Sequence, residues 1–249
     1  MLLEAAPTAA ALEPLVARRI AGEPLEYILG WVEFCGLRVS IDAGVFIPRQ
    51  RTAFLVDEAA RIAPAAPVIL DLCCGTGAIG LALAHRLAEL PGDLELPGDP
   101  ERAVTHALYA ADIDPAATAC ARRNLAPLGG HVYTGDLFDP LPESLRGALD
   151  IIAANVPYVP TDEISLMPTE AREHEPNATH DGGRDGLAIA RRVAAAAASW
   201  LNPGGYLLIE TSEEQADAAS AAFTAAGLLP RIARSAALYA TVVVGRRPL

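Results

Sequence analysis

An α/β protein with a doubly wound parallel sheet is what this chain of 249 residues predicts, on three observations. Beyond Pro67, short apolar strands alternate with helical segments, and such alternation builds a parallel sheet with helices on both faces. The first strand of that series hands over to a helix through a glycine-rich turn, Cys73-Cys74-Gly75-Thr76-Gly77. The last two strands have no helix between them, so they close the sheet as an antiparallel hairpin at one edge and bring it to seven strands.

The elements follow in order. Leu12, Leu15, Val16 and Ile20 recur at helical spacing behind Thr8, a capping residue, and predict a helix over 8–20. Gly22-Glu23-Pro24 ends it. Residues 27–39 are aromatic and β-branched with glycine punctuation and read as a small hairpin. Phe46-Ile47-Pro48-Arg49 is extended and stiffened by its proline, and a helix follows over 52–63. In the alternating part the expected strands are 68–72, 103–111, 132–133, 149–154 and 205–210. The expected helices are 78–90, 115–125, 184–201 and 212–226, and the closing strands 228–232 and 238–244. Residues 91–100, rich in Pro, Gly and Asp, read as a surface insertion. One helix and a hairpin are too little for a separate core, which divides the chain into a short N-terminal segment, 1–45, and one main α/β domain, 46–249.

Hydrophobic residues make up 52% of the chain and the mean hydropathy is +0.27, enough for a sizeable core. No apolar run is long enough to span a bilayer. Residues 1–11 are apolar but lack a basic start, so no signal peptide is indicated and the cytoplasm is the expected location. The net charge of −12 argues against a nucleic-acid partner, whose binding rests on basic surface. All 19 basic residues are Arg, which removes P-loop, Schiff-base and Tyr-Lys dehydrogenase chemistry. Cys35, Cys73, Cys74 and Cys120 show no C-x-x-C spacing, so neither a zinc site nor a disulfide framework is indicated and no metal is expected.

The chemistry is carried by strand ends. The apolar run 149–154 ends in Asn155-Val156-Pro157-Tyr158. The Asn side-chain oxygen and the carbonyl of Val156 can each accept one hydrogen from a planar NH2 group. Pro157 fixes the backbone that presents them, and Tyr158 offers a flat face. An amide or exocyclic amine is a poor nucleophile, so orientation must supply most of the catalysis. Upstream, Gly75, Gly77 and Gly80 match G-x-G-x-x-G, which keeps a dinucleotide in consideration but is weak alone. Asp71 before the loop suits an amine-bearing or cationic ligand better than a pyrophosphate. Asp112 ends the second strand, where an acid grips ribose hydroxyls, and Asp136 ends the third, where it can accept from an adenine amine. Singly, these acids serve as well as helix caps or solvated loop residues. In this order around one glycine loop, they describe a pocket for S-adenosylmethionine.

The chain at this point resembles the HemK-type protein-(glutamine-N5) methyltransferases, which methylate the Gln of Gly-Gly-Gln in peptide-chain release factors. The resemblance runs from Glu23-Pro24-Leu25-Glu26-Tyr27 through Phe46-Ile47-Pro48-Arg49, the cofactor loop, Asp112, Asp136 and Asn155-Val156-Pro157-Tyr158. It continues through Glu175-Pro176 and Gly183-Arg184-Asp185-Gly186-Leu187 to Gly204-Gly205 and Glu210. It implies a class I S-adenosylmethionine-dependent methyltransferase fold and a protein substrate, a release factor. The implied cofactor residues are Asp71, Cys73, Cys74, Gly75, Thr76, Gly77, Asp112, Ile113, Asp136, Leu137 and Asn155. Asn155, Val156, Pro157 and Tyr158 are the implied acceptor residues, and Phe46, Pro48, Arg49, Glu175 and Pro176 the substrate contacts. Val156 departs from the family's Asn-Pro-Pro-Tyr, Ala53 replaces an acid, and the segment before the catalytic domain is short. Three other readings stay open: methylation of adenine in RNA or DNA, since a flipped base would use the same acceptor pair; methylation of a small-molecule amine; and a non-catalytic binding module.

Overall fold

The structure is a computed structural model that describes residues 1–6, 8–89 and 107–249. Helix α1 (Leu2–Ala5) precedes α2 (Ala9–Ile20), which Thr8 caps: its Oγ1 accepts the Ala11 N–H at 3.2 Å. The stretch expected to open the hairpin is helical instead. Tyr27, Ile28 and Leu29 belong to α3 (Leu25–Leu29), which Pro24 starts and Gly30 ends at φ +75, a left-handed cap that favours glycine. The hairpin is confined to β1 (Trp31–Phe34) and β2 (Leu37–Ser40). Cys35 and Gly36 join them, both at positive φ, as in the turns that match strand twist.

A turn of 3-10 helix, Gln50–Thr52, leads into α4 (Ala53–Ile62). The alternating series then runs β3 (Val68–Leu72), α5 (Ala78–Glu89), β4 (Ala107–Asp112), α6 (Pro115–Leu125), β5 (His131–Thr134) and β6 (Leu149–Ala154). Residues 103–106 of the second expected strand, Leu90 of the expected helix and the 91–100 segment lie outside the described residues. A short helix absent from the sequence reading, α7 (Thr169–His174), comes next, followed by α8 (Ala188–Trp200), β7 (Leu201–Thr211), α9 (Ala216–Ala225), β8 (Leu229–Ser235) and β9 (Ala240–Arg246).

Two helices start later than their composition suggests. Residues 184–187 are a turn and not the first turn of α8: Gly183 and Gly186 have φ of +83 and +73, and Asp185 Oδ1 accepts the Leu187 N–H. Before α9, Ser212 and Gln215 bond reciprocally, side chain to backbone N–H, which spends residues 212–215 on a cap.

The sheet has seven strands in the order β5-β4-β3-β6-β7-β9-β8. Its first five members are parallel, and β9 runs antiparallel between β7 and β8. The order reverses between β3 and β6, and in open α/β sheets ligands sit outside the carboxyl ends at such a reversal. Leu72 stands level with Ala154 on one side and Ala111 on the other. Cys73, Asp112 and Asn155 therefore emerge side by side. Alternation along β3 splits the core: Ile69 packs with Leu55, Leu83 and Leu125 of α4–α6, while Leu70 and Leu72 pack with Val193, Trp200 and Phe223 of α8 and α9. The hairpin contributes Phe34 and Val39, both fully buried, to the first of these clusters.

Candidate active site

A cavity of about 540 Å³ opens at the carboxyl ends of β3, β4 and β6, a size suited to a drug-sized ligand. Its floor is the glycine-rich turn. Cys73, Gly75 and Gly77 all have positive φ, which curls the backbone around the opening. Asp112 braces this turn. Its Oδ2 accepts the Gly75 N–H at 2.8 Å and its Oδ1 the Asp114 N–H at 2.9 Å, leaving each oxygen capacity for one more donor from the cavity. Burial pushes the Asp112 carboxyl above its ordinary pKa, against the pull of those two amides. Thr76 is buried with its hydroxyl unpartnered among the described residues, and it lines the same floor. Burial also raises the Cys73 and Cys74 thiols, which stay neutral.

Asp71, Gly77 and Glu175 stand outside the cavity lining, unlike the other expected site residues. The Asp71 side chain points behind the loop, on the α5 face of β3. Its Oδ2 accepts the Gly80 N–H at 2.8 Å, and its Oδ1 has no partner among the described residues. Full burial pushes this carboxyl up to about 8, the Gly80 bond opposing and Asp112 adding to the shift. Gly80 permits the approach, since a Cβ there would lie 3.1 to 3.3 Å from Leu108 and Asp71. Gly77 packs against Leu125 and Ala121 of α6.

On the far wall Asn155 Nδ2 lies 3.5 Å from Thr52 Oγ1, and no described residue donates to its Oδ1. Val156 is buried, and Pro157 and Tyr158 are half-buried in the lining. The Tyr158 hydroxyl receives Arg51 Nη2, and its backbone carbonyl accepts Gln215 Nε2 at 2.9 Å. Burial lifts the Tyr158 phenol above its usual value. The entrance is lined by Phe46, Pro48, Arg49 and Pro176. Glu175 lies behind it, accepting Arg49 Nη2 at 2.7 and 2.6 Å and the Ile47 N–H at 3.3 Å. His180 fills the remaining space, 3.0 Å from Glu175 and edge-on to Phe46.

Of Thr52, Arg51, Glu210, Gln215 and His180, which the folded site brings together, none but Glu210 stood in the motif reading. Glu210 was legible as part of the glycine-to-glutamate stretch of β7, but the other four sit in ordinary surroundings and reach the site through folding. His174, at the end of α7, does not line the cavity.

Charge decides what the cavity can hold. Each arginine in its lining already faces a carboxylate: Arg49 faces Glu175, Arg51 faces Glu210, and Arg192 faces Asp136 at 2.6 Å. Asp112, Asp114 and Asp181 remain without a cationic partner among the described residues. An acidic cavity with its cations spent repels a pyrophosphate and suits a cationic nucleoside. S-adenosylmethionine fits this donor set. Among the described residues no cluster of His, Cys, Asp and Glu could hold a metal ion, and no helix is long and apolar enough to cross a membrane.

No family model matches the chain. Curated relatives do. The release factor glutamine methyltransferase of Geobacter sulfurreducens is 40% identical over 222 residues, covering 88% of this chain and 71% of the relative. That of Mycolicibacterium smegmatis is 38% identical, covering 86% and 71%. A third relative, the 4-amino-L-phenylalanine/4-methylamino-L-phenylalanine methyltransferase of Streptomyces pristinaespiralis, is 32% identical over 85% of this chain and 69% of its own. Among solved structures, a methyltransferase from Pyrococcus furiosus superposes with a TM-score of 0.59 at 14% identity, covering 95% of this chain and all of that one. A T. thermophilus 16S rRNA methyltransferase in complex with AdoMet and guanosine reaches 0.56 at 17% identity, over 87% of this chain and 49% of its own. The seven-stranded sheet is thus the class I methyltransferase fold, and the chain belongs to the release factor glutamine methyltransferase family as an S-adenosylmethionine-dependent methyltransferase.

Proposed function

We propose that the protein transfers a methyl group to the side-chain amide nitrogen of a glutamine in a peptide-chain release factor. The observation that carries this reading is one end of the cavity, where no described residue donates to Asn155 Oδ1 or to the Val156 carbonyl, both beside the Tyr158 ring. Bound on the glycine-rich turn, S-adenosylmethionine supplies an electrophilic methyl on a sulfonium.

The chain's own residues do the rest. Asp112 takes the ribose hydroxyls, and Asp136 and Leu137 border the adenine end with Ile113. Cys73 to Gly77 follow the methionine part, and Asp71 supports that turn from behind through Gly80. Asn155 and Val156 accept the two N–H bonds of the target amide and fix its nitrogen. Hydrogen bonding to both N–H groups draws the lone pair out of amide resonance, and the proton leaves once the nitrogen is methylated. No histidine or lysine base is required for that order of events. Phe46, Pro48, Arg49 and Pro176, with Glu175 behind them, frame the entrance for the peptide that carries the glutamine. We assign residues 1–45 to substrate approach and 46–249 to catalysis, in the cytoplasm where release factors act.

A second acceptor class has one observation in its favour: the relative whose substrate is an arylamine. An aniline NH2 is planar and offers the same two hydrogens. The deciding experiment is mass spectrometry of a Gly-Gly-Gln-containing release factor after incubation with enzyme and cofactor, with 4-amino-L-phenylalanine in parallel. A gain of one methyl on that glutamine is expected. Methylation of the amino acid alone would replace this reading with the second.

A further inference from the structure

Arg51 joins two groups that lie far apart in the sequence. Its Nε–H donates to Glu210 Oε1 at 3.0 Å, and Nη2 donates to the Tyr158 hydroxyl. The guanidinium carbon lies 5.9 Å from the centre of the Tyr158 ring. Glu210 comes from β7 with its side chain 2% exposed, and its Oε2 has no partner among the described residues. Burying a carboxylate in this way is costly unless a cation faces it, and Arg51 is that cation. The next residue, Thr52, stands beside Asn155. One turn, Gln50–Thr52, therefore braces the acceptor tetrapeptide at both ends.

We propose that Arg51 and Glu210 are positioning residues for the methyl acceptor. Glu210 aims Arg51, and Arg51 holds the Tyr158 ring against the planar group that Asn155 and Val156 receive. Their mutual neutralisation also keeps a bare carboxylate out of the acceptor wall. Neither residue touches the reacting nitrogen, so both act through Tyr158. The inference rests on the acceptor reading of the tetrapeptide given above. It has a consequence that simple packing would not have: removing Arg51 alone exposes Glu210 and does more harm than removing both charges.

The test compares the full-length wild type with Arg51→Met, Glu210→Gln and the double variant. In spectra of ring-13C-tyrosine protein, Tyr158→Phe identifies the Tyr158 signal. That signal is expected to move and broaden in Arg51→Met while the other tyrosines stay in place. In methyl transfer to a Gly-Gly-Gln-containing release factor, kcat of Arg51→Met should fall roughly thirtyfold, the scale of a misplaced acceptor, with cofactor affinity unchanged. The double variant should recover part of that loss. A Tyr158 signal unmoved by Arg51→Met, or losses that merely add in the double variant, would overturn the inference. A wild type that methylates no release factor would overturn the acceptor reading instead, and the tyrosine spectra would still decide the role of Arg51.

Discussion

Arg49 and Glu175 stand 126 residues apart in the chain, and both carboxylate oxygens of Glu175 accept from one nitrogen of Arg49, at 2.7 and 2.6 Å. Glu175 also accepts the Ile47 N–H, so this pair pins the extended segment before α4 to the loop that follows α7. The Glu175 side chain is 1% exposed against 30% for Arg49, and the burden of desolvation falls on the acid. Arg49→Met is expected to destabilise the fold by about 3 kcal/mol, because it leaves the buried Glu175 side chain with only the Ile47 N–H and His180 beside it. Arg49→Met with Glu175→Met should recover much of that loss. Urea denaturation of the single and double variants checks both.

Asp112 holds the glycine-rich turn and offers its remaining lone pairs to the cavity. Asp112→Ala removes both functions at once. Its affinity for S-adenosylhomocysteine, measured by calorimetry, is expected to fall by roughly tenfold or more, the cost of losing hydrogen bonds to a charged group. Unchanged affinity would remove Asp112 from the ribose site.

Asn155→Ala should separate binding from turnover. Cofactor affinity is expected to stay within a few fold, while single-turnover methyl transfer drops by about a hundredfold, as a positioning contact at the reacting centre is lost. Val156→Pro should preserve or raise the rate. The Val156 N–H donates to no described residue, so proline removes no bond seen there and keeps the carbonyl. Full activity in Asn155→Ala would show that the amine is held elsewhere.

The fully buried Asp71 makes a signed prediction about pH. Its carboxyl is raised from 3.8 to about 8 by burial, so the folded chain keeps a proton that the unfolded chain releases. Between those two values stability falls as pH rises, because the folded state must either hold the proton against the solution or bury a charge. Asp71→Asn keeps the shape without the titration. Thermal unfolding of the variant should therefore lose less stability than the wild type from pH 5 to pH 8. Parallel curves would mean that Asp71 is already ionised through a partner.

Gly186 carries a packing prediction. A Cβ at this position would overlap the Tyr158 carbonyl oxygen and Gln215 Nε2, two groups that bond each other. The φ of +73 adds strain for any other residue. Gly186→Ala is expected to cost about 2 kcal/mol or more and to lower methyl transfer further than stability alone explains. Differential scanning calorimetry with an activity assay at low temperature distinguishes the two effects.

Strand-end positions were legible in the sequence by itself. Asp112 and Asn155 fall at the carboxyl ends of apolar runs, and in a parallel sheet all such ends open on one side. The glycine-rich turn, the antiparallel closing strands and the placing of Asn155 to Tyr158 at the cavity followed from patterns that each span a few residues. The short helix α3 was misread because Tyr27, Ile28 and Leu29 suit a strand, while Pro24 and Gly30 impose a helical turn between them. The direction of Asp71 depended on pleating: alternation along β3 turns it toward α5 and Gly80, and the facing helix is known only once both sides of the sheet are packed. The pairing of Arg51 with Glu210, separated by 159 residues, depended on β7 taking its place beside β6. Such partners are chosen by non-local packing: Glu210 is buried where the assembled sheet brings it Arg51. The tertiary structure thus decided which charges meet, and so which faces of the cavity remain free for a ligand.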